Sequence, residues 1–343
     1  MNRATEGDGR MQPVRCALVG HGMIGREHAR ILATNPMADL AVVCDTDPAA
    51  ASGVPAGTRF TADLDDALDT DGLEALWVCT PQQVHLPVVE AGLTRELHVF
   101  CEKPFASSLD DAERMMELDE TTSGSLVIGH TLRFDPNYVA IHQAVTEGRL
   151  GDIVHISARW NAPDYEGRII SGRTTIPQEM AIHDLDVMRW LVGDIEHVYA
   201  EAAAHAVVGP GPDAAVGTVR FLSGAVGALD HNWILPFESG LRSDHRLAVF
   251  GTRGSAYIET RDSPAVVFSL DGLQHVHSGY YSYPNDVPFG ALPSEDAFFL
   301  GRVRDGRDWP LTLHDARAAL VAALAMDRSI AEGRVVSIAE VGG

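Results

Sequence analysis

The chain has almost no lysine. Among its 26 basic residues, spread over 343 positions, the single lysine is Lys103 and all the others are arginine. Cysteine is nearly as scarce. Cys16, Cys44, Cys79 and Cys101 form no close CxxC pair, which argues against a cysteine zinc motif or a disulfide framework. All four fall in or beside apolar runs and are expected to be buried thiols in a reducing compartment. Positive charge is in short supply overall, with 48 acidic residues and a net charge of −22. Such a surface repels phosphate backbones and anionic lipid, so nucleic acid and membrane surfaces are excluded as partners. No apolar stretch approaches the roughly 20 residues of a membrane span. The opening MNRATEGDGR is polar and reads as a tail, not a signal peptide. The expected location is the cytoplasm.

What is present suffices for full cores: 45% of residues are apolar and 22% charged, in a chain long enough for about two domains. From residue 14, short apolar runs alternate with helical stretches. Strands are expected at 14–20, 40–44, 58–60, 75–80, 98–102 and 125–131, and helices at 23–34, 63–69, 84–93 and 108–122, the last capped by Ser108. Strict alternation indicates a parallel sheet covered on both faces, an α/β domain. Beyond residue 132 a helix at 136–148 leads to IVHISARW (153–160), which alternates as an antiparallel strand does. One helix near 178–192 interrupts, and five further strand-like runs follow with hairpin turns such as LSGA (222–225). The expected domains are 12–132 and 133–340. The final helix, 313–333, is a candidate to pack back on the first.

GHGMIG places Gly20, Gly22 and Gly25 in the GxGxxG spacing, with Met23 and Ile24 between them, after a strand and at the start of a helix. In that setting the glycines allow a tight turn, close approach to a pyrophosphate and close helix packing, while the helix N-terminus offers N–H groups to phosphate. Asp45 ends the second strand, where a carboxylate accepts hydrogen bonds from a ribose diol and repels a 2′-phosphate. Thr46 and Asp47 follow, with no arginine, so NAD is expected over NADP.

Four stretches together, GHGMIGREHA (20–29), VCTPQQVH (78–85), CEKPFA (101–106) and AIHDLDVMRWLVGD (181–194), resemble the glucose–fructose oxidoreductase/inositol dehydrogenase (Gfo/Idh/MocA) family, and GHTLRFDPNY (129–138) resembles its interdomain link. The resemblance implies an N-terminal Rossmann domain and a C-terminal α+β domain with a large, mostly antiparallel open-faced sheet. It also implies homodimers or homotetramers built through that sheet. It places Thr80, Pro81, His85, Glu102 and Lys103 at the cofactor, with Glu102 orienting the lysine or cofactor. The lysine of its EKP motif stands beside the nicotinamide and the reacting hydroxyl, and Lys103 suits that place physically. It follows a parallel strand, and an ammonium is a compact donor with an adjustable pKa, whereas a guanidinium stays charged.

His183 matches the family's catalytic histidine and is suited to accept an alcohol proton. Glu179, four residues earlier and so on the same helical face, stands where the family usually has aspartate. Ile182, Leu185, Met188 and Val192 form a stripe on another face and are expected in the core. His28 is expected to pack or hydrogen-bond locally, and His21 to border the pyrophosphate. Arg133, Trp160, Asn161 and Arg168 are candidates to line a polyol site against the open sheet. HVH (275–277) is too sparse for a metal site, and no metal is expected. The expected activity is NAD-dependent hydride transfer from a hydroxyl carbon of a sugar, cyclitol or related polyol. The alternatives are a catalytically silent sensor, disfavoured because lysine and histidine are both present, and a reductase of imine-type substrates.

Overall fold

The computed structural model describes residues 12–236, 243–259, 266–269, 272–275 and 280–343, the two four-residue segments by their backbone alone. In chain order the elements are β1 (Val14–Val19), α1 (Met23–Thr34), β2 (Ala38–Cys44), β3 (Arg59–Thr61), α2 (Leu64–Leu68), β4 (Ala75–Val78), α3 (His85–Leu93), β5 (His98–Glu102), α4 (Leu109–Thr121) and β6 (Ser125–Gly129). Then come α5 (Pro136–Thr146), β7 (Ile153–Pro163), α6 (Asp164–Ile170), α7 (Ile182–Val192), β8 (Ile195–Ala203), β9 (Ala214–Phe221), β10 (Val226–Leu235), β11 (Asp244–Gly251) and β12 (Ser255–Glu259). The hairpin β13 (Val266–Ser269) and β14 (Gly272–His275), α8 (Ala291–Asp305), α9 (Leu313–Glu332), β15 (Val336–Ser337) and α10 (Ala339–Gly342) complete the chain. Two compact units result: residues up to 129 with 283–313, and 130–282 with 314–343.

In the first unit the strands lie in the order β3-β2-β1-β4-β5-β6, all parallel. This is the doubly wound order, whose direction of winding reverses between β1 and β4 and so opens a crevice at the carboxyl ends there. β4 and β5 bury nearly every side chain, as expected of parallel strands covered on both faces. Ser108 caps α4, accepting from the Asp111 N–H at 3.2 Å, with Asp110 and Asp111 favourably placed in the first turn. α8 carries no element in the sequence reading, which put residues 283–313 in the second domain. It instead inserts Phe299 and Leu300 into the core with Trp77 and Phe100. All four cysteines are free and buried.

The second unit holds the sheet β12-β11-β7-β10-β9-β8-β15. β7 pairs antiparallel with β11 but parallel with β10, so the strand expected to be antiparallel is so on one side only. Ile156, Ala158, Val198, Val219, Leu229 and Leu247 point to a core shared with Ile182, Leu185 and Met188 of α7 and Ala322, Ala323 and Met326 of α9. The final helix thus belongs to this unit. On the other face one row runs Glu201, Val216, Asp230, Arg159, Arg246, Glu259 and the next Tyr199, Thr218, Ala228, Ser157, Ala248, Tyr257.

The turn after β1 sets the tightest packing in the first unit. Gly20 has φ +94°, and a Cβ on Gly25 would stand 1.9 Å from the Gly20 carbonyl oxygen. Gly25→Ala must push α1 off the sheet, at a cost of about 1–3 kcal/mol. Calorimetry should show the melting transition lowered by about 2–10 °C; an unchanged transition would contradict this packing.

Candidate active site

Three loops at the carboxyl ends of the first unit's strands carry the candidate cofactor residues. Gly22 opens α1 with its backbone exposed, and Met23 beside it is 43% exposed. Ile24 turns inward against the first core. Any Cβ on Gly20 would meet the Cys79–Thr80 backbone within 2.7 Å, so the glycine turn and the β4 loop share one narrow cradle. The Thr80 Oγ1 is buried there without a hydrogen-bond partner. Asp45 is held by two backbone donors, His21 N–H at 2.7 Å to Oδ2 and Asp47 N–H at 2.9 Å to Oδ1. Each oxygen keeps a lone pair for a further donor. Asp45 lines a cavity of about 300 Å³ with His21, Gly22, Met23, Arg26, Asp47, Ala49 and Ala50. Arg26 escaped the sequence reading, which looked for a cation only after Asp45. Its guanidinium donates to the carbonyls of His21 at 3.2 Å and Ser52 at 2.8 Å.

His85 ties two of these loops. One ring nitrogen lies 2.9 Å from the Thr80 carbonyl and the other 3.3 Å from that of Phe105. Burial lowers its pKa, so the ring is neutral and donates to one carbonyl, the nearer Thr80. The ring thus bonds the Thr80 carbonyl and lies in contact with the loop that follows Lys103.

Lys103 stands half-buried directly after β5, and behind it lies a buried charged network. Its backbone N–H donates to Glu102 Oε2 at 3.0 Å. Glu102 Oε1 is 2.9 Å from His28 Nε2, and His28 Nδ1 is 2.8 Å from Asp296 Oδ1. That same oxygen accepts from Trp77 Nε1 at 2.8 Å. His28, Glu102, Asp296 and Trp77 are all buried. Burial works against a charged His28 ring, but Asp296 and Glu102 outweigh it and lift its pKa to about 10. Burial likewise raises Glu102, but the hydrogen bond and charge of His28 outweigh it and hold the carboxyl low. His28 packs edge-on against Phe100, but its hydrogen bonds are not local as the sequence suggested: they go to β5 and to α8, 268 residues on.

In the second unit His183 is buried on the first turn of α7, with the Trp160 ring stacked on it at a centroid distance of 4.7 Å. Trp160 lies in turn 3.8 Å from the His245 ring. Asp184, next in sequence, pairs with His231 of β10 at 2.8 Å, both buried. Glu179 sits in a π-helical turn, Pro177–Ala181, that precedes α7 and shifts its register from the α-helical i, i+4 spacing to His183. Single π turns of this kind are frequent at functional sites.

Three candidate lining residues have side-chain partners of their own. Arg133 is buried and bidentate to Asp186, at 2.9 and 2.7 Å, so its fork is occupied. Arg168 is exposed and paired with Asp164 of the same short helix. Asn161 lies one residue from Trp160 on β7 and points to the opposite face, bonded to Asp244 and Asn232. Trp160 alone stands with His183. Of HVH, only the backbone of His275 is described; residues 276 and 277 lie outside the described residues. Among the described residues no group of three or more His, Cys, Asp or Glu is arranged to hold a metal ion, and no helix is long and apolar enough to cross a membrane.

A doubly wound sheet with a glycine cradle and an acid at the end of β2 is the architecture of a dinucleotide-binding domain. The model of the Gfo/Idh/MocA oxidoreductase family, NAD-binding Rossmann fold, matches residues 14–130, and that of the Gfo/Idh/MocA C-terminal domain matches 138–257. The chain belongs to this family and is an NAD-dependent oxidoreductase of it. It is 28% identical to inositol 2-dehydrogenase of Rhizobium meliloti, over 95% of this chain and 99% of that one. To myo-inositol 2-dehydrogenase of Thermotoga maritima it is 29% identical, over 96% and 100%. In fold it is similar to scyllo-inositol dehydrogenase from Lactobacillus casei, solved with bound NAD(H) and scyllo-inositol, at a TM-score of 0.82 with 22% identity, over 96% and 100% of the two chains.

The buried network makes a spectroscopic prediction. A ring whose pKa rises from about 6.5 to about 10 on folding contributes stability that is complete below pH 6.5 and lost as pH climbs through 10. Nitrogen NMR at pH 8 should find both His28 ring nitrogens protonated, whereas a neutral tautomer at that pH would contradict the charge assignment.

Proposed function

We propose that the chain oxidises a ring hydroxyl of a cyclitol, sugar or related polyol to the ketone, reversibly, using NAD in preference to NADP. The observation that carries this reading is Lys103: the one lysine of the chain follows β5 in the crevice-forming half of a doubly wound sheet, braced from behind by Glu102 and His28. NAD, when bound, supplies the hydride acceptor. The glycine turn of Gly20, Gly22 and Gly25 with the α1 N-terminus would hold its pyrophosphate, Asp45 its adenosine ribose, and Thr80 Oγ1 is an unsatisfied group ready to bond it. Asp45 opposes a 2′-phosphate, while Arg26 is turned to the carbonyls of His21 and Ser52 through Nε and Nη1.

His183 accepts the hydroxyl proton at a ring nitrogen. Lys103 donates a hydrogen bond to the same oxygen and stabilises the negative charge that develops on it. Glu179 supports His183 through the π turn, taking the place of the family's aspartate. Trp160 fixes the imidazole plane by stacking. The polyol class is supported by the inositol dehydrogenases among the relatives. The second unit's sheet face, with small Ala228, Ser157 and Ala248 between Tyr199 and Tyr257, suits pairing with a second copy of the chain.

If His183 is the base, His183→Ala should lower polyol-dependent NAD reduction about 100-fold or more while NAD still binds. Steady-state rates beside calorimetric NAD titration check this. A variant retaining most of its rate would remove His183 from that role.

A further inference from the structure

The sequence explains Lys103 and Glu102 as parts of one motif, but nothing in it explains why His28 should lie between two buried carboxylates. The geometry is a chain of contacts, and His28 Nδ1 faces both Asp296 oxygens, Oδ1 at 2.8 Å and Oδ2 at 3.0 Å. Trp77 and His28 both donate to Asp296 Oδ1, each at 2.8 Å. His28 then passes its second N–H to Glu102 Oε1 at 2.9 Å, and Glu102 Oε2 receives the backbone N–H of Lys103 at 3.0 Å. Both carboxyl oxygens of Glu102 are thus committed, one on each side, and the plane of the carboxylate is set. The links come from four elements, α8, β4, α1 and β5, so Lys103 is tied to the body of its unit and not only to its own strand.

We propose that His28 is a positioning residue for Lys103: held by Asp296, it fixes the Glu102 carboxylate against the Lys103 backbone and so sets where the lone ammonium stands. The proposal rests on the reading of Lys103 as the donor to the reacting oxygen. His28 touches neither substrate nor cofactor in this scheme and moves no proton.

Charge makes the arrangement hard to replace. Two buried carboxylates that both stay ionised need a cation between them, since otherwise one must take up a proton. The ionisable groups that act on the ring are Asp296 of α8 and Glu102 at the end of β5; Lys103 acts on Glu102, and the thiols of Cys16, Cys79 and Cys101 in and after the strands lie near the two carboxylates. All three thiols are driven upward by burial and stay neutral. Deep in the sheet, His28 is the cation that satisfies Asp296 and Glu102 together. A neutral amide of similar length can bond one of the two carboxylates but cannot neutralise either. The distance tolerance is small, since misplacing a catalytic donor by about 1 Å can cost on the order of 100-fold.

The single lysine makes a direct test available. Lysine labelled at Cε and Nζ gives one side-chain NMR signal, that of Lys103, in the intact chain. His28→Gln should shift or broaden that signal. It should also lower turnover on a cyclitol or sugar by about 100-fold with NAD affinity changed less than about threefold, a split that mere loosening of the fold would not produce. Asp296→Asn, which keeps acceptors for Trp77 and His28, should give the same direction with a smaller effect, about tenfold, and covers the case in which His28→Gln fails to fold. A lysine signal that superimposes on the unmutated one in either folded variant, with an unchanged rate, would overturn the proposal. Failure of the underlying reading looks different. None of the polyols would then support NAD reduction by the unmutated chain, while the lysine signal still moved in His28→Gln.

Discussion

One protonated imidazole between two buried carboxylates holds the first unit's business end together. Removing one partner from a buried ion pair typically costs about 3–5 kcal/mol, because the remaining charge is left without water or counterion. Asp296 also takes the Trp77 indole proton, so the polar network is fastened to the aromatic core of Trp77, Phe100 and Phe299. The strands β4 and β5 and the helices α1 and α8 therefore cannot shift separately. That rigidity is what a site at the carboxyl ends of those strands needs, since the cradle between Gly20 and Thr80 leaves no space for even one added Cβ.

The second unit solves the same problem by other means. His183 is fixed by the Trp160 ring, and its neighbour Asp184 by His231 from the sheet beneath. Arg133 and Asp186 form a further buried pair in which burial pushes the aspartate up but His130 and Arg133 hold it low. The charged groups Asp184, Asp186 and Arg133 each enter this core with a partner, as buried charges must. In both units the reactive candidate is half-buried or buried and its backing is charged or aromatic.

Local features of the site were readable in the sequence. The glycine spacing, Asp45 at a strand end, Lys103 after an apolar run and His183 on a helix all depend on a few neighbouring residues. What was not readable depends on distance. Asp296 lies 268 residues from His28, so no local pattern joined them. The π turn before α7 left no trace that distinguishes it from an ordinary helix start. Trp160 and Asn161, by contrast, could have been separated in advance, because adjacent residues on a strand face opposite sides. Arg133 resembled a ligand residue by its charge. Only the fold shows that Asp186 already occupies it.

The central claim is that an ammonium, and not merely a positive charge, is required after β5. Lys103→Arg keeps the charge, but its guanidinium is broader and cannot release a proton. The decisive measurement is the steady-state rate of NAD reduction by that variant on a cyclitol or sugar oxidised by the unmutated chain, beside NAD affinity and melting temperature. The account predicts a loss on the order of 100-fold or more in rate with fold and NAD binding largely retained. Turnover near that of the unmutated chain would contradict it.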